Sequence, residues 1–142
     1  MGTYMGLLTM QKLLNQIEIE YPKIKFPSGT KICFGKVGTM NIGDVFGAII
    51  TSAKKENIID SSYREEHSLY AAIDDALYGV CRGHMALRET LRTISLRFVV
   101  ARGQSDKHEQ GDWVIVALYG NIGSTTKGHE HEVIGFGMSP VA

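Results

Sequence analysis

The chain has 142 residues, 44% of them hydrophobic, and its 15 basic residues are balanced by 15 acidic ones. That length suits one domain with a sizeable core, and the apolar content argues against disorder. A net charge of +0 leaves no basic surplus for nucleic-acid binding by counterion release, so any RNA contact must come from base edges, stacking and shape. The sequence has no apolar run of membrane-spanning length and no charged-then-apolar leader, so the expected location is cytoplasmic.

In chain order, TMQKLLNQIEIEYP (9–22) places Met10, Leu13, Leu14 and Ile17 at helical spacing, with Pro22 as a stop. TKICFGKVG (30–38) predicts a strand with Ile32 and Phe34 on one face and Gly38 at its end. MNIGDVFGAIITSAKK (40–55) predicts a helix: Asn41 is the N-cap candidate, and Val45, Ala48, Ile49 and Ser52 recur at turn spacing. A longer helix starts near 63, where Ser62 and Glu65 fit a capping box. Its core stripe is Leu69, Ile73, Ala76, Leu77 and Val80, while His67, Ala71, Asp74, Tyr78 and Arg82 share the opposite face, with Asp75 beside them.

The last third is rich in strands. RTISLRFVVAR (92–102) alternates apolar Ile94, Leu96, Phe98 and Val100 with Thr93, Ser95 and Arg97. A polar hairpin loop is expected at 103–111. DWVIVALYGNIG (112–123) is apolar on both faces, as a central strand would be, and HEHEVIGFGM supplies the final strand. Helices and strands in this order predict one α+β domain with a single, mainly antiparallel sheet of four strands. Cys33 and Cys81 form no CxxC and each falls in an apolar stretch, which suits buried thiols in a reducing compartment.

GHEHE (128–132) gathers two histidines and two glutamates. On a strand His129 and His131 would point the same way, as a metal-binding HxH pair does; a solvated turn is the competing reading. His67, away from its helix's core stripe, is a third imidazole, with a solvated helix face as the alternative. Arg82, Arg92 and Arg97 cluster about the junction of helix and strand, where planar guanidinium groups suit a carboxylate or phosphate, or simply pair with Asp74, Asp75 or Glu89. The chain has no GxSxG, HExxH, P-loop or dinucleotide fingerprint, and no nucleophile beside a base, so no enzyme is expected.

In order and spacing, KICFGKVGTM (31–40), SAKK (52–55), YREEHSLY (63–70), ALYGVCRG (76–83), LRTISLRF (91–98), GDW (111–113), LYGNIG (118–123), KGHEHE (127–132) and GFG (135–137) resemble the HutP family, antiterminators of the bacterial histidine-utilisation operon. The similarity spans the single domain from about residue 30 almost to the end; residues 1–28 form a divergent N-terminal helical segment.

The resemblance implies a three-layer αβα sandwich that assembles as a homohexamer. It further implies an L-histidine effector and a divalent cation, usually Mg2+, bound at subunit interfaces, and a leader RNA bearing spaced UAG-like triplets. His67 and His131 match metal ligands. Arg82 and Arg92 match arginines of the amino-acid pocket, Glu132 its acidic partner, and Asp75 stands where the family has a glutamate. Thr51, Thr93 and Glu130 match RNA-contacting positions. Two departures stand out: Ala71 replaces a third ligand histidine, and Ile50 replaces a glutamate of the RNA surface. They leave room for a different function, a metabolite-binding paralogue with another ligand and no RNA activity, acting through protein partners.

Overall fold

A computed structural model describes the backbone over residues 11–12, 14–40, 42–82, 94–105, 112–122 and 131–141, and side chains over these except 38–40, 42, 78–82, 94–96, 119–122 and 131–134. Helix α1 covers 14–20. It is followed by β1 (Ile24–Lys25), β2 (Ile32–Met40), α2 (Ile42–Lys55), α3 (Tyr63–Arg82), β3 (Ile94–Ser105), β4 (Asp112–Ile122) and β5 (His131–Pro140). Among the described residues every strand pairing is antiparallel. β4 lies between β3 and β5, and the other edge of β3 is shared: Ile32–Met40 pairs along most of it, while Ile24 and Lys25 pair with Ser105 and Gln104 at its end. The five strands therefore fill four columns, as expected but for β1. Two residues between two prolines are too short to show a period-two pattern, so β1 left no trace in the sequence.

Side-chain alternation along the sheet builds two cores. On one face Cys33, Val37, Phe98, Val100, Val114, Val116 and Leu118 pack under α2 and α3, joined by Val45, Ile49, Leu69, Ile73 and Ala76. On the other, Val99, Ala101, Ile115 and Ala117 pack under Leu14 and Ile17 of α1. The result is an α+β fold in three αβα layers. Residues 114–118 of β4 are all buried, which is why that strand reads as apolar on both faces. Each fully buried leucine or isoleucine contributes about 1.5–3 kcal/mol through area removed from water.

β2 has Ile32 and Phe34 on one face and Cys33 buried, as expected, but the Ile32/Phe34 face is the less buried one and the strand runs on past Gly38. Cys33 and Val37 turn to the α2/α3 core, leaving Ile32 partly buried on the α1 side and Phe34 37% exposed. Ile32, Cys33 and Phe34 are consecutive apolar residues, so alternation alone cannot choose their inward face; pairing with β3 does. Nor does Gly38 end the strand, which continues to Met40 through a register shift after Val37.

The α2–α3 connection is fixed locally. Asn57 adopts φ 58°, Ile58 N–H donates to Ala53 O at 2.9 Å, and Asn57 N–H donates to Lys54 O at 3.0 Å. That is a Schellman C-cap, closed by burial of Ile58 and Ala53 together. At the start of α3 only half of the expected capping box forms. Ser62 Oγ accepts from Glu65 N–H at 3.3 Å, but the Glu65 carboxylate turns elsewhere: Oε2 accepts from Asp60 N–H at 2.8 Å and Oε1 pairs with Arg102 of β3. Ser62 N–H is taken instead by Asp60 Oδ1 at 2.8 Å. Hydrogen bonds from the Ser62 side chain, then from its backbone, hold the Asp60 carboxyl below its ordinary range.

Candidate functional site

Helix α3 divides into two faces. Leu69, Ala72, Ile73, Ala76 and Leu77 are buried, whereas His67, Ala71, Asp74 and Asp75 are exposed. Four of the five expected core-stripe residues are thus in the core; the Val80 side chain lies outside those described. Tyr63, one turn before His67, is 81% exposed and lays its ring against the imidazole, with centroids 5.9 Å apart and planes at 17°. One turn further along, Tyr70 stacks on Phe46 of α2 at 4.3 Å. Neither stack was expected from the sequence, although the i, i+4 spacing of Tyr63 and His67 permits one.

Two contacts set the direction in which α3 crosses β5. Near its start, Ser68 Oγ donates to Pro140 O at 2.9 Å. Further on, the helix lies directly over Gly137: a Cβ there would sit 2.1 Å from Ala72 O and 2.7 Å from Ala76 N. The helix therefore runs antiparallel to the strand, and its C-terminal end, Arg82, lies towards the strand's beginning, His131 and Glu132. His67 is at the other end, next to the Ser68 that bonds Pro140. His131 pairs with Gly120 and Pro140 with Trp113, so with the register shift between them β5 advances as far as the stretch 113–120 of β4, roughly 23 Å at the usual rise per strand residue. One chain does not bring His67 and His131 together. Asp75 lies between these ends, close above Gly137.

Thr51 is exposed on α2, and its neighbour Ile50 is partly buried against the α2/α3 core. Arg92, Thr93, His129 and Glu130 lie outside the described residues, as do the side chains of Arg82, His131, Glu132 and Cys81. Among the described residues no three His, Cys, Asp or Glu side chains converge as a metal site, and no helix is long and apolar enough to cross a membrane. Cys33 is buried, and burial first, then the charge of Glu56, pushes its thiol up to about 11. That thiol packs and offers no nucleophile at neutral pH.

The HutP family profile matches residues 9–139. The chain belongs to the HutP family. Curated relatives named Hut operon positive regulatory protein, from Bacillus cereus (strain G9842) and Bacillus thuringiensis (strain Al Hakam), are each 49% identical over 126 residues, covering 87% of this chain and 86% of the relative. The protein of the same name from Bacillus anthracis (strain CDC 684 / NRRL 3495) has the same identity and coverage. The HutP match begins at residue 9, so it reaches back through α1 into the segment that contributed none of the quoted blocks.

Proposed function

We propose that this HutP-family chain is a positive regulator of a histidine-utilisation operon, acting as an RNA-binding antiterminator assembled from several copies, a hexamer by the family resemblance. L-histidine or a related small amino acid is the effector, held between chains by Arg82, Arg92, Asp75 and Glu132. The RNA is a single-stranded leader with spaced UAG-like triplets, met by Thr51, Thr93 and Glu130. The observation that carries this reading is the separation of His67 and His131 along β5, combined with an exposed α3 face that bears His67, Asp74 and Asp75. Among the described residues nothing covers that face, and it can form one wall of a cavity closed by a second copy, as an isologous interface permits.

A divalent cation fits this donor set between chains and not within one. His67 and His131 would hold it, with water and the effector's amine and carboxylate completing the shell, since Ala71 offers no donor. Bound there, the ion supplies positive charge that offsets the effector carboxylate. The chain's own residues do the remaining work: Tyr63 braces the His67 ring, and Gly137 seats α3 on β5 at the height of Asp75. Effector binding that favours the RNA-competent assembly shifts the population towards it. Triplets repeated around a symmetric ring then bind by avidity, without a basic patch.

Ile50 favours a second reading. It is half-buried against the core, where a glutamate would face an RNA base edge, so an alkyl group there contributes packing and no base contact. A metabolite-binding relative without RNA activity is the alternative. Filter retention of RNA with spaced UAG triplets, with and without L-histidine and Mg2+, separates the two. The antiterminator requires retention that depends on both ligands; no retention under any condition leaves the alternative.

A further inference from the structure

At the end of α3 away from Arg82, a cavity of ≈ 240 Å³ opens beside β3, walled by Gly29 and Lys31 before β2, Asn57 after α2, Arg102 of β3 and Asp112 of β4. It is smaller than the roughly 300 Å³ at which drug-sized pockets begin, and so suits a ligand of a few heavy atoms. The twenty-residue helix α3 puts about 30 Å between its two ends. Within a chain this cavity is therefore separate from the Arg82 end, and although it lies at the His67 end of α3, neither His67 nor any other residue assigned above lines it.

The charges around it are arranged unusually. Arg102 is anchored from below, where Nη2 pairs with Glu65 Oε1. The other Glu65 oxygen accepts from Asp60 N–H, and the Arg102 Nε is buried without a hydrogen-bond partner among the described residues. On the cavity side, Arg102 Nη1 lies 3.8 Å from Asp112 Oδ2, too far for a hydrogen bond, and the two side chains remain 32% and 43% exposed. Asp112 and Arg102 thus form a loose ion pair without a hydrogen bond, so each keeps hydrogen-bonding capacity towards the cavity. Lys31 adds an exposed second cation to the cavity wall.

A simple anion entering here meets the Asp112 carboxylate, and a simple cation meets Arg102 and Lys31. A molecule with both charges a few atoms apart satisfies both sides. We propose that this cavity binds a small zwitterionic amino acid, its carboxylate on Lys31 and Arg102 and its ammonium on Asp112.

Calorimetric titration of the full chain with glycine, without divalent cation, tests this. Acetate and methylammonium serve as single-charge probes, and Asp112→Asn, Lys31→Met and Arg82→Ala as variants. Lys31 is exposed, the Asp112 side chain is 43% exposed, and neither belongs to a hydrophobic core, so the first two variants keep the fold. Glycine is expected to saturate one site per chain and to bind about tenfold more weakly to Asp112→Asn and Lys31→Met, each having lost one charge-assisted hydrogen bond. Arg82→Ala, which disables the effector pocket proposed above, should still keep one glycine site per chain, and either single-charge probe should bind at least about tenfold more weakly than glycine. The proposal is overturned by acetate binding as well as glycine, by an unchanged Asp112→Asn titration, by loss of glycine binding in Arg82→Ala, or by no saturation up to about 50 mM.

Discussion

The inward and outward faces of α3 are made of the same twenty residues, yet only one is explained by the chain itself. Inward, Leu69, Ala72, Ile73, Ala76 and Leu77 meet the sheet and are buried. Outward, His67, Asp74 and Asp75 stand exposed with Tyr63 and Tyr70. A purely solvated face would be expected to carry flexible charges at i, i+4 spacing; this one carries aromatic rings, an imidazole and adjacent carboxylates. The contrast separates residues that fold the subunit from residues that serve something outside it.

The inward face should be the more fragile. Gly137→Ala drives a methyl group into the backbone of α3 at Ala72 and Ala76, so the helix must lift from β5. The expected loss is about 3 kcal/mol or more, at or beyond the upper end of ordinary overpacking. A urea midpoint within error of wild type would show that helix and strand are less closely seated. Ile73→Ala, at a fully buried position, should cost about 2–5 kcal/mol in the same assay; a loss under 1 kcal/mol would place Ile73 outside the core.

A smaller effect is expected at the sheet. The Cys33 thiol, raised from 9.0 to about 11, is favoured in its neutral form by folding. Its contribution to stability is therefore complete below the unfolded pKa and is lost as pH rises towards the folded value. Wild type should lose stability relative to Cys33→Ala between pH 9 and 11, read from urea melts; parallel curves would show that the thiol does not sense its burial.

The smallest stability change belongs to the outward face. His67→Ala removes an exposed ring and should alter stability by no more than about 0.5 kcal/mol, while abolishing metal- and histidine-dependent RNA retention. Unfolding in step with lost retention would make His67 a folding residue.

Much of this division is legible in the sequence because helical periodicity sorts α3 without reference to the rest of the chain. β4 is legible for a similar reason, being apolar at every position from 114 to 118. Sequence reading falls short where a distant element decides. Ile32, Cys33 and Phe34 could not reveal their inward face until β3 paired beside them. Glu65 could not reveal that Arg102 would claim half of its capping role. The candidate site shows the same limit: His67 could be recognised as outward-facing, but periodicity could not show that His131 lies at the far end of the strand beneath it.

The most direct test uses two defective chains. His67→Ala and His131→Ala are each expected to lose retention that depends on histidine and Mg2+. If every site takes one imidazole from each of two chains, mixing the variants in equal amounts rebuilds about a quarter of the sites by random pairing. Native mass spectrometry confirms that the subunits have exchanged. Recovery of ligand-dependent RNA retention in the exchanged mixture is the predicted result; exchanged assemblies that stay as inactive as either variant alone would contradict a site built between subunits.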